Sequence, residues 1–308
     1  MLRLRVGIGA TAGTVIASRR TERGGYVRLE AGTASHTGRI RTSNQDSVGL
    51  VDGLYVVADG MGGHRGGEVA SAEAVAAMLA VFDRRDRAGL VAAVRSANRT
   101  ILEKTVTRPD LSGMGTTLCA LAVVSSASGD EVLAVANIGD SRVYRFAAGE
   151  LVQVSDDHSL VADLMRAGEL SAEEAAQHPQ RNILTRALGI EADPVIDSWE
   201  LEPVLGDRYL LCSDGLFNEL DDGRLAEVLA AGSVQETADR LVDEAVENGG
   251  HDNVTVLVIE VVAGPEAREG RRSAVPVARS ERSTHVRGAA EEGRIAFGTA
   301  LAMAACVV

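Results

Sequence analysis

Apolar positions along this chain recur with two different periods, and the alternation between them lays out a fold. Short runs rich in Val, Leu and Tyr, each bounded by turn residues, predict strands at 26–30, 48–51, 54–58, 116–124, 131–136, 142–146, 208–212 and 254–261. Asp52-Gly53, between two of these runs, predicts a hairpin turn, and Ala148-Gly149 predicts the junction of another antiparallel pair. Helical spacing predicts helices at 68–82, 89–104, 159–167, 172–177, 222–229 and 234–247. The first carries apolar residues at Val69, Ala72, Val75, Ala76 and Leu79. Ser171 with Glu174, and Ser233 with Glu236, have the spacing of a capping box. Strands come in consecutive runs with pairs of helices between them, which predicts an α+β fold of antiparallel sheets covered by helices, not a βαβ alternation.

The periodic pattern holds over about 26–262, the expected folded domain. Residues 1–25 contain a Gly/Ala-rich run that faintly resembles a signal peptide but is broken by three glycines, so a disordered extension is expected. Residues 263–294, rich in Arg, Ser, Gly and Glu without apolar period, are expected to form a disordered linker. Residues 295–308 are uncharged, but a bilayer-spanning helix needs about 20 residues. They read either as a sticky tail or as the first part of a membrane span, and Arg279, Arg282, Arg287 and Arg294 before them suit a cytoplasmic flank.

Charge changes this picture in one respect. The net charge of the 308 residues is −13, but both flanks are basic, which leaves residues 29–262 with 18 basic and 38 acidic residues. A body that acidic repels nucleic acid, whose binding rests on neutralised phosphates, and suits cations better. Three cysteines, Cys119, Cys212 and Cys306, form no disulfide or zinc spacing and fit a reducing compartment.

The acidic residues that matter stand at the ends of apolar runs. Asp59-Gly60 follows the run 54–58, Asp140 follows 133–138, Asp214-Gly215 follows 209–212, and Asp252-Asn253 precedes the terminal strand. Any one of these is an ordinary solvated turn. Four at strand ends, each beside Gly or Asn, are poorly explained that way. Carboxylates brought together repel unless a cation lies between them, and oxygen ligands select Mg²⁺ or Mn²⁺. Two such ions lower the pKa of water from about 15.7 toward about 7 and so make hydroxide available. Arg41, five residues before Asp46, is a candidate phosphate clamp, because guanidinium meets phosphate oxygens bidentately. His64 and His251 lie beside these motifs, as surface residues or as outer supports.

With these residues in place, the chain resembles the PP2C (PPM) family of metal-dependent protein serine/threonine phosphatases, in its bacterial form. The resemblance covers about 29–262 and rests on an ordered set: Arg41 to Asp46, Asp59-Gly60-Met61-Gly62-Gly63, Gly113-Met114-Gly115-Thr116-Thr117, Ile138-Gly139-Asp140-Ser141-Arg142, Asp157-His158-Ser159, Arg186-Ala187-Leu188-Gly189, Ser213-Asp214-Gly215 and Asp252-Asn253. It implies an α-β-β-α sandwich with two Mn²⁺ or Mg²⁺ ions at one end. It implies Asp59 bridging them, the Gly60 carbonyl on one and Asp214 and Asp252 on the other. Asp140 with Asp214 would hold a third ion, Arg41 would bind phosphate, Asp46 would orient metal-bound water, and Asn253 would support from outside. Residues 159–185 match the family's variable flap. The implied reaction is direct attack of metal-activated water on phosphoserine or phosphothreonine. The implied partners are phosphorylated proteins, among them Ser/Thr kinases and their substrates, met by a monomeric cytoplasmic catalytic domain that 295–308 could tether to the inner membrane. Two positions depart from the animal members. Gln45 stands where the family often has Glu, and Met61 stands where animal members have a His proposed as general acid. A catalytically silent phosphoprotein-binding module and a two-metal phosphodiesterase remain as alternative readings.

Overall fold

The computed structural model describes residues 5–7, 15–18, 27–62, 66–83, 85–264 and 279–281, with side chains described from 27 onward except in the last of these segments. Its strands are β1 (Arg5–Gly7), β2 (Val15–Ser18), β3 (Arg28–His36), β4 (Asp46–Val51), β5 (Leu54–Met61), β6 (Gly115–Thr116), β7 (Leu118–Ser125), β8 (Glu131–Ile138), β9 (Arg142–Ala147), β10 (Glu150–Gln153), β11 (Ile196–Leu201), β12 (Arg208–Cys212), β13 (Val254–Ala263) and β14 (Arg279–Glu281). The helices are α1 (Gly66–Val81), α2 (Arg87–Thr107), α3 (Leu160–Arg166), α4 (Ala172–Ala176), α5 (Asp214–Phe217), α6 (Asp222–Leu229) and α7 (Val234–Glu247).

Two antiparallel sheets result. One runs β1-β4-β5-β7-β8-β11-β14, with β6 added to β5, and the other runs β10-β9-β12-β13-β3-β2. Alternation along each strand sends one set of side chains between the sheets and the other outward. Tyr55, Val57, Cys119, Leu121, Leu211, Leu257 and Ile259 fill the space between the sheets. The opposite faces are covered by helices. Leu54, Val56 and Ala120 pack under Val75, Met78, Leu90 and Val94 of α1 and α2, while Leu210, Val256 and Val258 pack under Leu225, Leu241 and Ala245 of α6 and α7. This is an α-β-β-α sandwich with three apolar layers. The helices sit where the periodicity predicts them, α6 and α7 to the residue, and both expected capping boxes form, at Ser171 and Ser233.

One strand departs from the expectation. The stretch 196–201 reads as Ile-Asp-Ser-Trp-Glu-Leu, too acidic to suggest a strand, yet it forms β11 within the first sheet. The strand tolerates a buried acid because Asp197 meets His158 Nε2 at 3.0 Å and Arg186 at 3.2 Å. In the flanks, β1, β2 and β14 pair with β4, β3 and β11, which the composition of those stretches does not predict. Residues 295–308 lie outside the described residues. Among those described, no helix is long and apolar enough to cross a membrane.

Candidate metal centre

Antiparallel connections bring the start of β4, the end of β5, the end of β8, the end of β12 and the start of β13 to one edge of the sandwich. Asp46 pairs in register with Asp59 across β4 and β5. Directly opposed residues share a face, with Cβ atoms about 4.5–5.5 Å apart, and like charges there are destabilising. Asp140 lies in the turn after β8, Asp214 opens α5 just after β12, and Asp252 lies just before β13. Two glycines allow the close approach. A Cβ on Gly60 would lie 2.1 Å from the Gly67 carbonyl oxygen and 2.6 Å from that of Gln45, and one on Gly215 would lie 2.1 Å from the Asn253 carbonyl oxygen.

A layer of hydroxyls and amides fixes these carboxylates. Asn253 accepts from the Gln45 N–H at 2.8 Å and donates to the carbonyls of Thr37 and Ser43 at 2.9 and 3.0 Å, so it pins both ends of the loop that carries Arg41. Ser213 donates to Asp46 Oδ2 at 2.7 Å, and Ser71 donates to the Gln45 carbonyl at 2.6 Å. Asp59 is held through its backbone: its N–H donates to Thr117 Oγ1 at 3.0 Å, and its carbonyl accepts from Thr116 Oγ1 at 2.7 Å. Behind Asp140, the Gly139 N–H donates to His158 Nδ1 at 3.1 Å, which leaves the ring proton on Nε2, facing Asp197. Buried His158 therefore serves as a brace for the Asp140 turn.

The electrostatics of the cluster are one-sided. Burial, then repulsion from Asp214 and Asp252, pushes the Asp46 carboxyl up to about 7 despite the Ser213 hydrogen bond. Burial, then Asp214 and Asp157, pushes Asp140 up to about 8. Burial and Asp252 push Asp214 up to about 6, and burial with Asp46, Asp214, Asp140 and Asp252 holds Asp59 well above the carboxylate range. Each keeps only a small solvent-facing area while protein surrounds it on nearly every other side. The cation of the site is Arg41, whose Nη2 lies 2.7 Å from Asp252 Oδ2; its half-exposed fork also feels Asp214 and Asp59.

These residues fit hard divalent cations. Every donor is an oxygen, and Asp46 Oδ1 and Asp214 Oδ1 are buried without a hydrogen-bond partner. The Gly60 carbonyl and Gln45 Oε1 converge beside Gly67, 2.6 and 2.8 Å from the point a Cβ there would occupy, so a side chain at that position would fill the space between them. Among the described residues no three His, Cys, Asp or Glu side chains close into a protein-only cage. That suits Mg²⁺-like ions, which keep several waters and take one or two carboxylates each.

The fold thus brings together Arg41, Asp46, Asp59, Gly60, Asp140, Asp214, Asp252 and Asn253. His251 is three-quarters exposed and bound to Glu219 at 2.7 Å, which makes it a loop support. Gly63 and His64 lie outside the described residues. Sequence reasoning missed the bracing roles of Thr116, Thr117, Ser213, Ser71 and His158. The sequence signal for all but Ser71 was present, as motif residues without an assigned role.

The family model for protein phosphatase 2C matches residues 35–249. The chain belongs to the protein phosphatase 2C family. Among its 2C relatives, the serine/threonine protein phosphatase PstP of Mycobacterium tuberculosis is 42% identical over 239 residues, covering 76% of this chain and 45% of PstP. The chain therefore spans just under half the length of that relative. The serine/threonine phosphatase stp of Listeria monocytogenes is 38% identical over 239 residues, covering 72% of this chain and 92% of stp. A solved structure of the PstP catalytic domain in complex with two manganese ions superposes with a TM-score of 0.68 at 41% identity, covering 77% of this chain and 99% of that one. The sandwich described above is thus the fold of this phosphatase 2C relative.

Proposed function

We propose that this protein is a metal-dependent protein serine/threonine phosphatase acting on phosphoserine and phosphothreonine in other proteins. The observation that carries this reading is the convergence of Asp46, Asp59, Asp140 and Asp214, each pushed up by burial and by its acidic neighbours, with the guanidinium of Arg41 at the rim. Asp59, the Gly60 carbonyl, Asp214 and Asp252 would hold two Mn²⁺ or Mg²⁺ ions, and Asp140 with Asp214 a third. When bound, such ions supply charge stabilisation at phosphoryl oxygens and lower the pKa of water enough to provide a nucleophile at neutral pH.

The chain's own residues do the rest. Arg41 presents the solvent-facing part of its fork to the phosphate, while its bond to Asp252 fixes its direction. Asp46, its carboxylate fixed by Ser213, orients the attacking water. Met61 cannot donate a proton, so protonation of the leaving group would fall to water held at the site. The kinases whose products it reverses, tethering through 295–308, and a monomeric 26–262 domain belong to the same proposal.

The test is hydrolysis of an aryl phosphate and a phosphothreonine peptide with Mn²⁺ and with chelator. Turnover should require Mn²⁺, and Asp59→Asn should reduce it on the order of 10³-fold. Mn²⁺-independent turnover, or an Asp59→Asn variant equal to wild type, contradicts the reading. Preferential cleavage of a diester would favour the phosphodiesterase reading instead.

A further inference from the structure

Ile190 is 54% exposed, and solvent-facing apolar residues are ordinary when scattered. This one is held on backbone fixed from both sides. Leu188 exchanges both backbone hydrogen bonds with Thr116, at 3.1 and 2.9 Å. The Gly189 N–H donates to Asn98 Oδ1 at 2.7 Å, and the Glu191 carbonyl accepts from Asn98 Nδ2 at 2.8 Å, with Asn98 itself buried on α2. The fold therefore spends a buried side-chain amide on keeping an isoleucine at the surface.

Its neighbour is Met61. A Cβ on Gly115 would lie 2.7 Å from Met61 Cε and 3.3 Å from Ile190 Cδ1, so the tips of both side chains lie over that glycine, which leaves them room. Met61 is two residues beyond Asp59 on β5, so the two side chains share a face, and both are partly exposed. Two residues of strand advance about 6.6 Å. The Met61–Ile190 pair thus forms an apolar lip whose backbone at Met61 lies about 7 Å along β5 from that of Asp59. An extended peptide advances about 3.3–3.6 Å per residue, so a phosphoresidue at the metals places a neighbour one or two positions away on this lip.

We infer that Met61 and Ile190 are specificity-determining residues that select phosphopeptides with an apolar side chain one or two positions from the phosphorylated residue. This rests on the phosphatase reading above. Methionine, flexible and polarizable, suits a surface that accepts several apolar side chains.

The experiment compares kcat/KM of the Mn²⁺-loaded full chain for phosphothreonine peptides carrying Leu or Gly at those flanking positions, with an aryl phosphate that has no flanking residues. Wild type should favour the Leu peptides by about tenfold, the low end expected for one apolar contact. Ile190→Asp should abolish that preference and change aryl phosphate turnover less than twofold; Ile190→Leu should retain the preference. Leu205→Ser, a half-exposed residue at the opposite end of β12, should change neither. A wild type that hydrolyses aryl phosphate but does not distinguish the peptides overturns the inference alone, as does an Ile190→Asp variant that loses peptide and aryl phosphate turnover together. A wild type inert toward aryl phosphate overturns the phosphatase reading, and this inference with it.

Discussion

Two groups of carboxylate in this sandwich are treated in opposite ways. Asp197 is packed beside His158 and Arg186, and their hydrogen bonds outweigh burial and hold its carboxyl below the usual range. Asp46, Asp59, Asp140 and Asp214 have one another, and each is pushed up. Protein interiors accept a charge that is paired and reject one that is not. The first group is finished by the chain itself. The second is arranged by the same kind of hydroxyl and amide bracing, yet Arg41 and Arg142 do not outweigh burial and mutual repulsion there, which is the mark of a site completed by a cation.

The largest way to break this comparison is at the paired group. His158→Leu leaves Asp197 short of a partner and the Gly139 N–H unsatisfied, and should cost about 3 kcal/mol in denaturant unfolding. Next is the arginine at the rim of the other group. Arg41→Ala should lower kcat/KM for aryl phosphate on the order of 10- to 100-fold, mostly through KM, with little change in melting temperature, because its bond to Asp252 is half-exposed. At the unpaired group the sign reverses. Asp214→Asn should make the chelator-stripped protein equally or more stable at pH 8, by about 1–2 kcal/mol, since it relieves repulsion. A loss as large as that of His158→Leu would dissolve the distinction between the groups. The smallest effect is expected at Gln45, whose Oε1 already faces the Gly60 carbonyl across Gly67. Gln45→Glu should tighten Mn²⁺ binding about threefold to tenfold, read by calorimetric titration.

The sequence showed the unpaired group more readily than the paired one. Asp59, Asp140, Asp214 and Asp252 each stand at the end of a periodic apolar run beside Gly or Asn, a local signature that needs no knowledge of tertiary pairing. The bracing did not show, because it depends on partners far apart in the chain. Ser213 reaches Asp46 across 167 residues, and Thr117 reaches Asp59 across 58. Strand β11 stayed hidden for the same reason, since Asp197 reads as a strand breaker until His158, 39 residues away, supplies it with a hydrogen bond. Helices were legible where a polar cap and an apolar stripe coincide, as in α6 and α7. The meeting of Met61 with Ile190 was legible at neither end, since it depends on how the segment after the flap returns beside β6.

The central claim is that the unpaired carboxylates form a divalent-cation site, and stability against pH tests it most directly. Unfolded aspartates titrate near about 3.9, whereas Asp214, Asp46 and Asp140 in the fold titrate at about 6, 7 and 8. Raised carboxyl groups mean that the folded state binds more protons than the unfolded one in this window. The stability these three carboxyls contribute to the metal-free protein is therefore fully present below about pH 4 and is lost as pH rises toward about 8. Mn²⁺ binds the ionised carboxylates, so its stabilisation grows over the same range. Melting temperatures measured from pH 5.5 to 8, in chelator and in Mn²⁺, should diverge as pH rises, the chelated protein losing stability while the Mn²⁺-loaded protein does not. Parallel curves, or a Mn²⁺ effect that Asp59→Asn leaves intact, would contradict the claim.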